Sequence, residues 1–515
     1  MKPSGLIWQS RCENSGFPCR AAGWLLCVAV LLAFVPVRAW ADDLHEYDQW
    51  YVVLIDDQRA GWMHAASRIV DDEIHRTEDT YIVVRRGPVQ LPIRVTLRTV
   101  ETRDYQLRRV EMSQQMAAQE MKQVMVVDGR NIDMTSTIAG NTTRNRLTLP
   151  EGEWLTPGAA AKQTRDAIKA GEKELTFRTV DASTGLRVVT STMKWVGEEN
   201  IEVFGRSVPA LVWDVTTDIM PGLVVRSYVD DKGLPLKTTM TLAGMRLTML
   251  AADEQLARTE IDAPELMART LVEPVGRIAN PRRLRRAVYE LSLVDATEND
   301  RLTLTSGGVQ RVEQLGPDRV RVTVDLDKPL DPAGDEPDET HLAASAMVNH
   351  KDPKIRELMR QALGDDGAKL ARAEKARRLA QFVAGYVESK NLNVGYASAS
   401  ETARTATGDC TEHAVLLAAL LRAADIPSRT VSGLIYVDRF LDHAEVFGYH
   451  MWTQAWLVDE ATGKGRWVDL DATLDDGGFD AAHIMIATNS HADGRAANDL
   501  IQLTPLIGRL RIEVK

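Results

Sequence analysis

Gly408-Asp409-Cys410-Thr411-Glu412-His413-Ala414-Val415-Leu416-Leu417-Ala418-Ala419-Leu420-Leu421-Arg422-Ala423 is the most informative stretch of the chain. From Ala414 to Leu421 it is apolar all round, and a helix of that kind packs in the centre of a fold. Gly408 permits a tight entry and Asp409 is a good N-cap, so Cys410 falls in the first turn. There the helix dipole and the unpaired amides favour thiolate over thiol. The same amides can stabilise an oxyanion on an attacked carbonyl. Upstream, residues 353–363 and 368–387 have helical spacing, with Leu370, Ala373, Ala376, Leu379, Val383 and Val387 on one side, and 398–405 reads as a further helix. Downstream, 430–437, 449–458 and 466–470 read as strands. Helices followed by strands give an α+β layout.

A thiolate nucleophile needs a base that can also protonate the leaving group, and imidazole serves best near neutral pH. His413 lies one turn along the same helix, His443 sits in a polar loop with Asp442 and Glu445, and His450 opens His450-Met451-Trp452-Thr453-Gln454-Ala455-Trp456. A strand beside the helix can hold His450 over the thiol. A carboxylate would orient the imidazole. Trp467-Val468-Asp469-Leu470-Asp471-Ala472-Thr473 offers two on one strand face, and alternation alone cannot separate Asp469 from Asp471. A metal site built from His413, His443, Glu445 and His450 is the competing reading, but the spacing fits no zinc pattern. Trp452, Trp456 and Trp467 read as core, with Trp452 also placed to wall a cleft.

These residues resemble the transglutaminase-like superfamily. Gly408 to Ala414, Leu420-Leu421-Arg422-Ala423 and Ile426-Pro427-Ser428-Arg429 look like its core helix and following turn, His450-Met451-Trp452 resembles its His-Ala-Trp strand, and Trp467 to Thr473 resembles its Trp-x-x-x-Asp-Pro-Thr strand end. The resemblance covers about residues 345–490. It implies a papain-like Cys-His-Asp triad of Cys410, His450 and Asp471, and it selects Asp471 over Asp469. Asp425 stands where the family has Gly before Ile-Pro, and Ala472 where it has Pro. Neither removes a reacting group, and Asp tolerates a left-handed backbone better than most residues. The second oxyanion donor is not identifiable, although Asn393 and Tyr396 lie upstream where one could arise.

Moving outward, Lys328-Pro329-Leu330-Asp331-Pro332 through Pro337 reads as an exposed boundary, so the chain after about 340 is expected to fold independently. Residues 287–326 hold two or three strands. Residues 250–285 look helical or irregular and end in a cluster of Arg277, Arg282, Arg283, Arg285 and Arg286, read as a solvated or inter-domain ion-pairing patch. Between 48 and 250, β-branched runs with regular turn signals predict an antiparallel sheet or open barrel, interrupted by one helix at 157–168 whose first residue is Pro. The pattern is similar to the curved half-barrel domains of exported bacterial lipid- and lipoprotein-handling proteins. The expected organisation is a signal peptide at 1–41, a β-rich, open half-barrel-like domain at 42–265, a linking segment with additional strands at 266–340 and a papain-like catalytic domain at 341–515.

The signal reading rests on Lys2, Arg11 and Arg20, the apolar stretch from Ala21 to Val37 and Ala39-Trp40-Ala41 before Asp42. Cleavage removes Cys12, Cys19 and Cys27 and leaves Cys410 alone, so no internal disulfide can form. The composition is that of an ordinary globular chain, with 44% hydrophobic and 26% charged residues. A formal net charge of −11 argues against general nucleic-acid binding. The expectation is an exported, periplasmic or extracellular cysteine hydrolase or acyl transferase that acts on amide bonds of proteins or peptides through a thioester. It requires no cofactor and no metal, and it has no stable membrane span once the signal is removed. The alternative is a non-catalytic binding or scaffold protein that retains the fold.

Overall fold

The computed structural model describes residues 46–515 apart from 87–88, 117–118, 139, 182–186, 221, 232, 243, 267–269, 298–299, 388–396, 441, 460–461, 475–477 and 493–501. The signal segment, Asn393 and Tyr396 therefore lie outside the described residues. Among the described residues, fourteen strands between Tyr47 and Ala252 form one antiparallel sheet. It consists of two meanders, Tyr47 to Thr148 and Glu174 to Ala252, joined where the first strand, Tyr47–Ile55, pairs with the last, Met245–Ala252. Alternation shows why these segments are strands: Leu91, Ile93 and Val95 are buried while Gln90, Arg94 and Arg98 face water. The sheet curls, because Val180 and Val188 of the second meander pack in one cluster with Leu107, Val110, Met125 and Met134 of the first. The helix Pro157–Lys169 lies between the meanders. Thr156 caps it, and the Gly158 amide donates to the buried Glu101, which also pairs with Arg76.

Several strands in this sheet were not expected from the sequence, among them Leu107–Met116, Asn131–Ile138 and Asn141–Thr148. Their outward positions carry Arg, Asn, Asp and Thr, residues of low or mixed strand propensity. Leu107–Met116 and Asn131–Ile138 are held by pairing with more apolar neighbours, and Asn141–Thr148 pairs in turn with Asn131–Ile138. Pro353–Leu363 coincides with its predicted bounds.

The remaining chain forms two smaller sheets and a helical layer. One sheet takes the order Leu271–Val272, His443–Val458, Ser428–Phe440, His483–Asn489, with Gly465–Leu470 also paired to His443–Val458. The other takes Gln310–Gly316, Arg319–Asp325, Arg286–Leu293 and the C-terminal Leu510–Val514. The helices Pro353–Leu363, Arg372–Tyr386 and Ala399–Thr405 surround Cys410–Ala423, which is buried along its length through Arg422. Val415, Leu416, Leu417, Leu420 and Leu421 lose essentially all contact with water, each worth roughly 1.5–3 kcal/mol of transfer free energy. Among the described residues no helix is long and apolar enough to cross a membrane.

The stretch 328–340 has no buried residue, as expected of it, and is also tied down at several points. Asp335 makes a bidentate pair with Arg429 at 2.6 and 2.7 Å, and its carbonyl accepts from Trp467 Nε1 at 2.6 Å. The Leu330 amide donates to Gly308, and Asp338 caps the turn Glu339–His341. The strand Arg286–Leu293 lies between Arg319–Asp325 and Leu510–Val514, so the chain's last strand belongs to a sheet begun before that boundary.

Candidate active site

Asp409 caps the Cys410 helix through its side chain, which accepts from the Thr411 amide at 3.0 Å. Glu412 returns the bond, accepting from the Asp409 amide at 2.8 Å and from Ala397 at 2.7 Å. This is a capping box. Glu412 is fully buried, and burial, helped by Asp409, pushes its carboxyl well above the usual range. Gly408 is required here for space: a Cβ would lie 2.2 Å from the Glu412 Cβ. Helix termination matches the left-handed allowance made for Asp425, whose φ is 58°. The far end of the helix is pinned by the buried Arg422, which donates to the carbonyls of Ala343, Ser428 and Ser490. Burial lowers the Arg422 pKa to about 10.

Cys410 packs with Ala414 and with Met451, the residue after His450, and Thr453 Oγ1 donates to the Ala414 carbonyl at 2.9 Å. These contacts lay the His443–Val458 strand along the helix. His450 Nε2 is 2.8 Å from Asp471 Oδ2, with the side chains 1% and 0% exposed. That bond engages Nε2 of the ring. Asp471 Oδ1 accepts from the amide and the hydroxyl of Thr473 at 2.9 and 2.7 Å. Burial alone would raise the Asp471 pKa, but His450 and His483 outweigh it and hold the carboxyl well below its usual value.

The two aspartates, Asp469 within the strand Gly465–Leu470 and Asp471 one residue past its end, are separated by their donors. Asp469 Oδ1 accepts from Trp452 Nε1 at 2.9 Å and Gln454 Nε2 at 2.8 Å, and burial raises its pKa despite both bonds. Trp452 is thereby fixed flat beside His450, with ring centroids 6.1 Å apart.

The family model that matches is that of the transglutaminase-like superfamily, over residues 360–472. The C-terminal third of the chain carries a transglutaminase-like core. A comparison with curated proteins gave no match. Among solved structures, a β-barrel-like protein with a domain of unknown function from Brucella abortus is 13% identical, with a TM-score of 0.31, and covers 40% of this chain and 96% of its own. A candidate cysteine protease from Cytophaga hutchinsonii is 16% identical, with a TM-score of 0.25, and covers 44% and 81%. A candidate protease from Parabacteroides distasonis is 11% identical, with a TM-score of 0.18, and covers 72% and 68%.

The transglutaminase-like core does not gather the alternative metal set. His413 Nδ1 is 2.6 Å from the Asp409 carbonyl, to which it donates, and Glu445 pairs with Arg277 at 2.5 Å. His443 is seven residues from His450 on one strand, roughly 23 Å at strand rise. The cluster of ligand-type atoms that does form among the described residues is His450, Asp471 and His483, within 4.8 Å of one another. Hydrogen bonding accounts for that spacing, since Asp471 Oδ2 is 2.8 Å from His450 and 3.2 Å from His483. Sequence reading missed His483 and Asp480, and it placed Arg282 only in the ion-pairing arginine cluster. The signal was present in outline: His483, like His450, stands at the head of an apolar strand-like run.

Proposed function

We propose that the protein is an exported cysteine amidase or acyl transferase acting on proteins or peptides, with Cys410 as nucleophile, His450 as general base and acid, and Asp471 as the residue that orients His450. The observation that carries this reading is the buried 2.8 Å bond between His450 and Asp471 on a strand that packs against the first turn of the Cys410 helix. The Asp471 bond fixes Nε2 of His450 and turns Nδ1 to the proton exchange. The Cys410 thiolate attacks the amide carbonyl carbon, and first-turn amides stabilise the oxyanion. His450 then gives its proton to the leaving nitrogen as the C–N bond breaks, which leaves a thioester on Cys410. Water attacks that thioester with His450 taking its proton, and the acid and the free thiol are released. An amine acceptor in place of water gives transamidation.

The test is mass spectrometry of cell-envelope proteins and peptides incubated with the mature chain and with Cys410→Ala. A mass gain of one water per cleaved amide identifies hydrolysis, and a new cross-linked mass with loss of ammonia identifies transfer. Both should vanish in Cys410→Ala, a loss of ~10³-fold or more. Equal turnover by that variant would refute the cysteine mechanism.

A further inference from the structure

His483 is buried, and both of its ring nitrogens face oxygen acceptors. Nδ1 is 3.0 Å from Asp480 Oδ1 and 3.0 Å from the Asp480 carbonyl, and Nε2 is 3.2 Å from Asp471 Oδ2. Neither aspartate is spare. Asp471 already holds His450 and Thr473, while Asp480 Oδ1 also accepts from the Ala482 amide at 2.8 Å and Oδ2 faces Arg282 Nη1 at 2.8 Å. An ionised carboxylate only accepts. A neutral imidazole carries one N–H and one lone pair, so one nitrogen would point its lone pair at a carboxylate oxygen in a dry interior. A doubly protonated ring satisfies both contacts.

The other ionisable groups of the packed elements fit the same charge pattern. Arg282 braces Asp480 and donates to the Tyr436 carbonyl. His450 lies 5.8 Å from His483 between ring centroids, and Asp469 is reached electrostatically by both His483 and Arg429. The uncharged walls are Phe479 and Trp452, at 4.4 and 5.2 Å between centroids. Burial pulls the His483 pKa down, but Asp480 and Asp471 together outweigh it and the net displacement is upward.

We propose that His483 is a positioning residue of the Cys410 site: a buried imidazolium, braced by Asp480 and Arg282, that clamps Asp471 and sets the balance of protonation between His450 and Cys410. This rests on the Cys410–His450–Asp471 reading. Charges alternate from Arg282 through Asp480, His483 and Asp471 to His450. A lone buried Asp471 would hold the His450 proton too firmly for release to a leaving amine. The cation behind Asp471 weakens that hold, and it also favours thiolate at Cys410. The family match ends at residue 472, so Asp480 and His483 lie beyond it. Arg282 comes from the arginine cluster, which gives that cluster a second role besides surface ion pairing.

The experiment is the rate of iodoacetamide alkylation of Cys410 against pH in the mature protein and in His483→Gln, which keeps a donor towards Asp471 and loses the charge. Removing a unit charge at the 5.8 Å separation of the two rings moves the His450 limb of the profile upward by about 1–2 pH units at an effective dielectric of roughly 20–40, and the Cys410 limb moves in the same direction. A uniform loss of rate with the limbs in place would mean a structural role only and would overturn the proposal. Should His483→Gln not fold, ¹⁵N NMR of the histidine-labelled wild-type protein decides: both His483 ring nitrogens should carry protons at pH 7, and a neutral tautomer there overturns the proposal. The two readings fail separately. A wild-type Cys410 that titrates as an isolated thiol, near pH 8.5, removes the catalytic reading and the inference together. A paired wild-type profile that His483→Gln leaves unmoved removes the inference alone.

Discussion

Asp471→Asn and Asp469→Asn change the same atoms two residues apart, one just past the end of a strand and one inside it, yet the structure predicts opposite outcomes. Asp471 is fully buried and its oxygens accept from His450, His483, the Thr473 amide and the Thr473 hydroxyl. An asparagine there keeps one acceptor oxygen and turns two N–H donors towards groups that are themselves donors. It also leaves a buried imidazolium with one partner fewer, a change that costs about 3–5 kcal/mol when a buried charge pair is broken. Loss of the orienting carboxylate costs ~10⁴ in rate even with geometry intact. Asp469 is different. Its two donors, Trp452 and Gln454, share Oδ1, so an asparagine that places its oxygen there keeps both bonds. Burial has raised the Asp469 pKa, so ionising it above about pH 4 costs folded-state free energy. Asp469→Asn removes that cost and should be as stable as the wild type or more so at pH 7. Asp471 has the opposite sign. Its pKa is depressed, so its stabilisation is present above about pH 4 and is lost as pH falls towards the folded value, and Asp471→Asn should flatten that acid limb. The assay is urea unfolding from pH 3 to 8 together with turnover of whichever peptide the mass-spectrometric screen identifies. Equal loss of turnover in both variants, or loss in Asp469→Asn alone, would refute the assignment.

Gly408→Ala should lower stability by about 1–3 kcal/mol, because its Cβ would sit 2.2 Å from that of Glu412 and the capping box must shift; urea unfolding measures it, and slower Cys410 alkylation should accompany it. A fragment beginning at 341 should not fold by circular dichroism, because it leaves Leu510–Val514 without Arg286–Leu293 and removes Asp335 from Arg429; a fragment beginning near 266 should fold. Turnover should survive a strong chelator, since the proposed steps use only side chains and backbone amides, and activity restored by one specific ion after chelation would contradict this. His483→Phe should lose stability most at acid and neutral pH: the His483 pKa is raised, so its stabilisation is full below about pH 6.5 and fades as pH rises through the folded value, and pH-resolved urea unfolding reads the difference.

The sequence determined by itself whatever short-range pattern controls. Thirteen consecutive residues from Cys410 to Arg422 are buried, as their apolar run requires, and the cap, the thiol position and the neighbouring helices follow from residues within a few turns of one another. His450 and Asp471 were legible because the first lies in a strand and the second just past the end of one, each with its own motif. The larger sheet was legible only as a type. Its more polar strands, such as Leu107–Met116, become strands by pairing with apolar neighbours on both sides, and composition does not record that pairing. Strand parity left Asp469 and Asp471 equal and only the Asp471-Ala472-Thr473 motif separated them; the tertiary structure alone decided what Asp469 does instead, because Trp452 and Gln454 reach it while Thr473 and two histidines reach Asp471. It alone joined Arg282 to Asp480 and His483 across about two hundred residues of chain, and it alone brought the last strand back to Arg286–Leu293. Contacts of such separation are fixed by how sheets and helices stack to bury their apolar faces, and no local window of sequence carries that information.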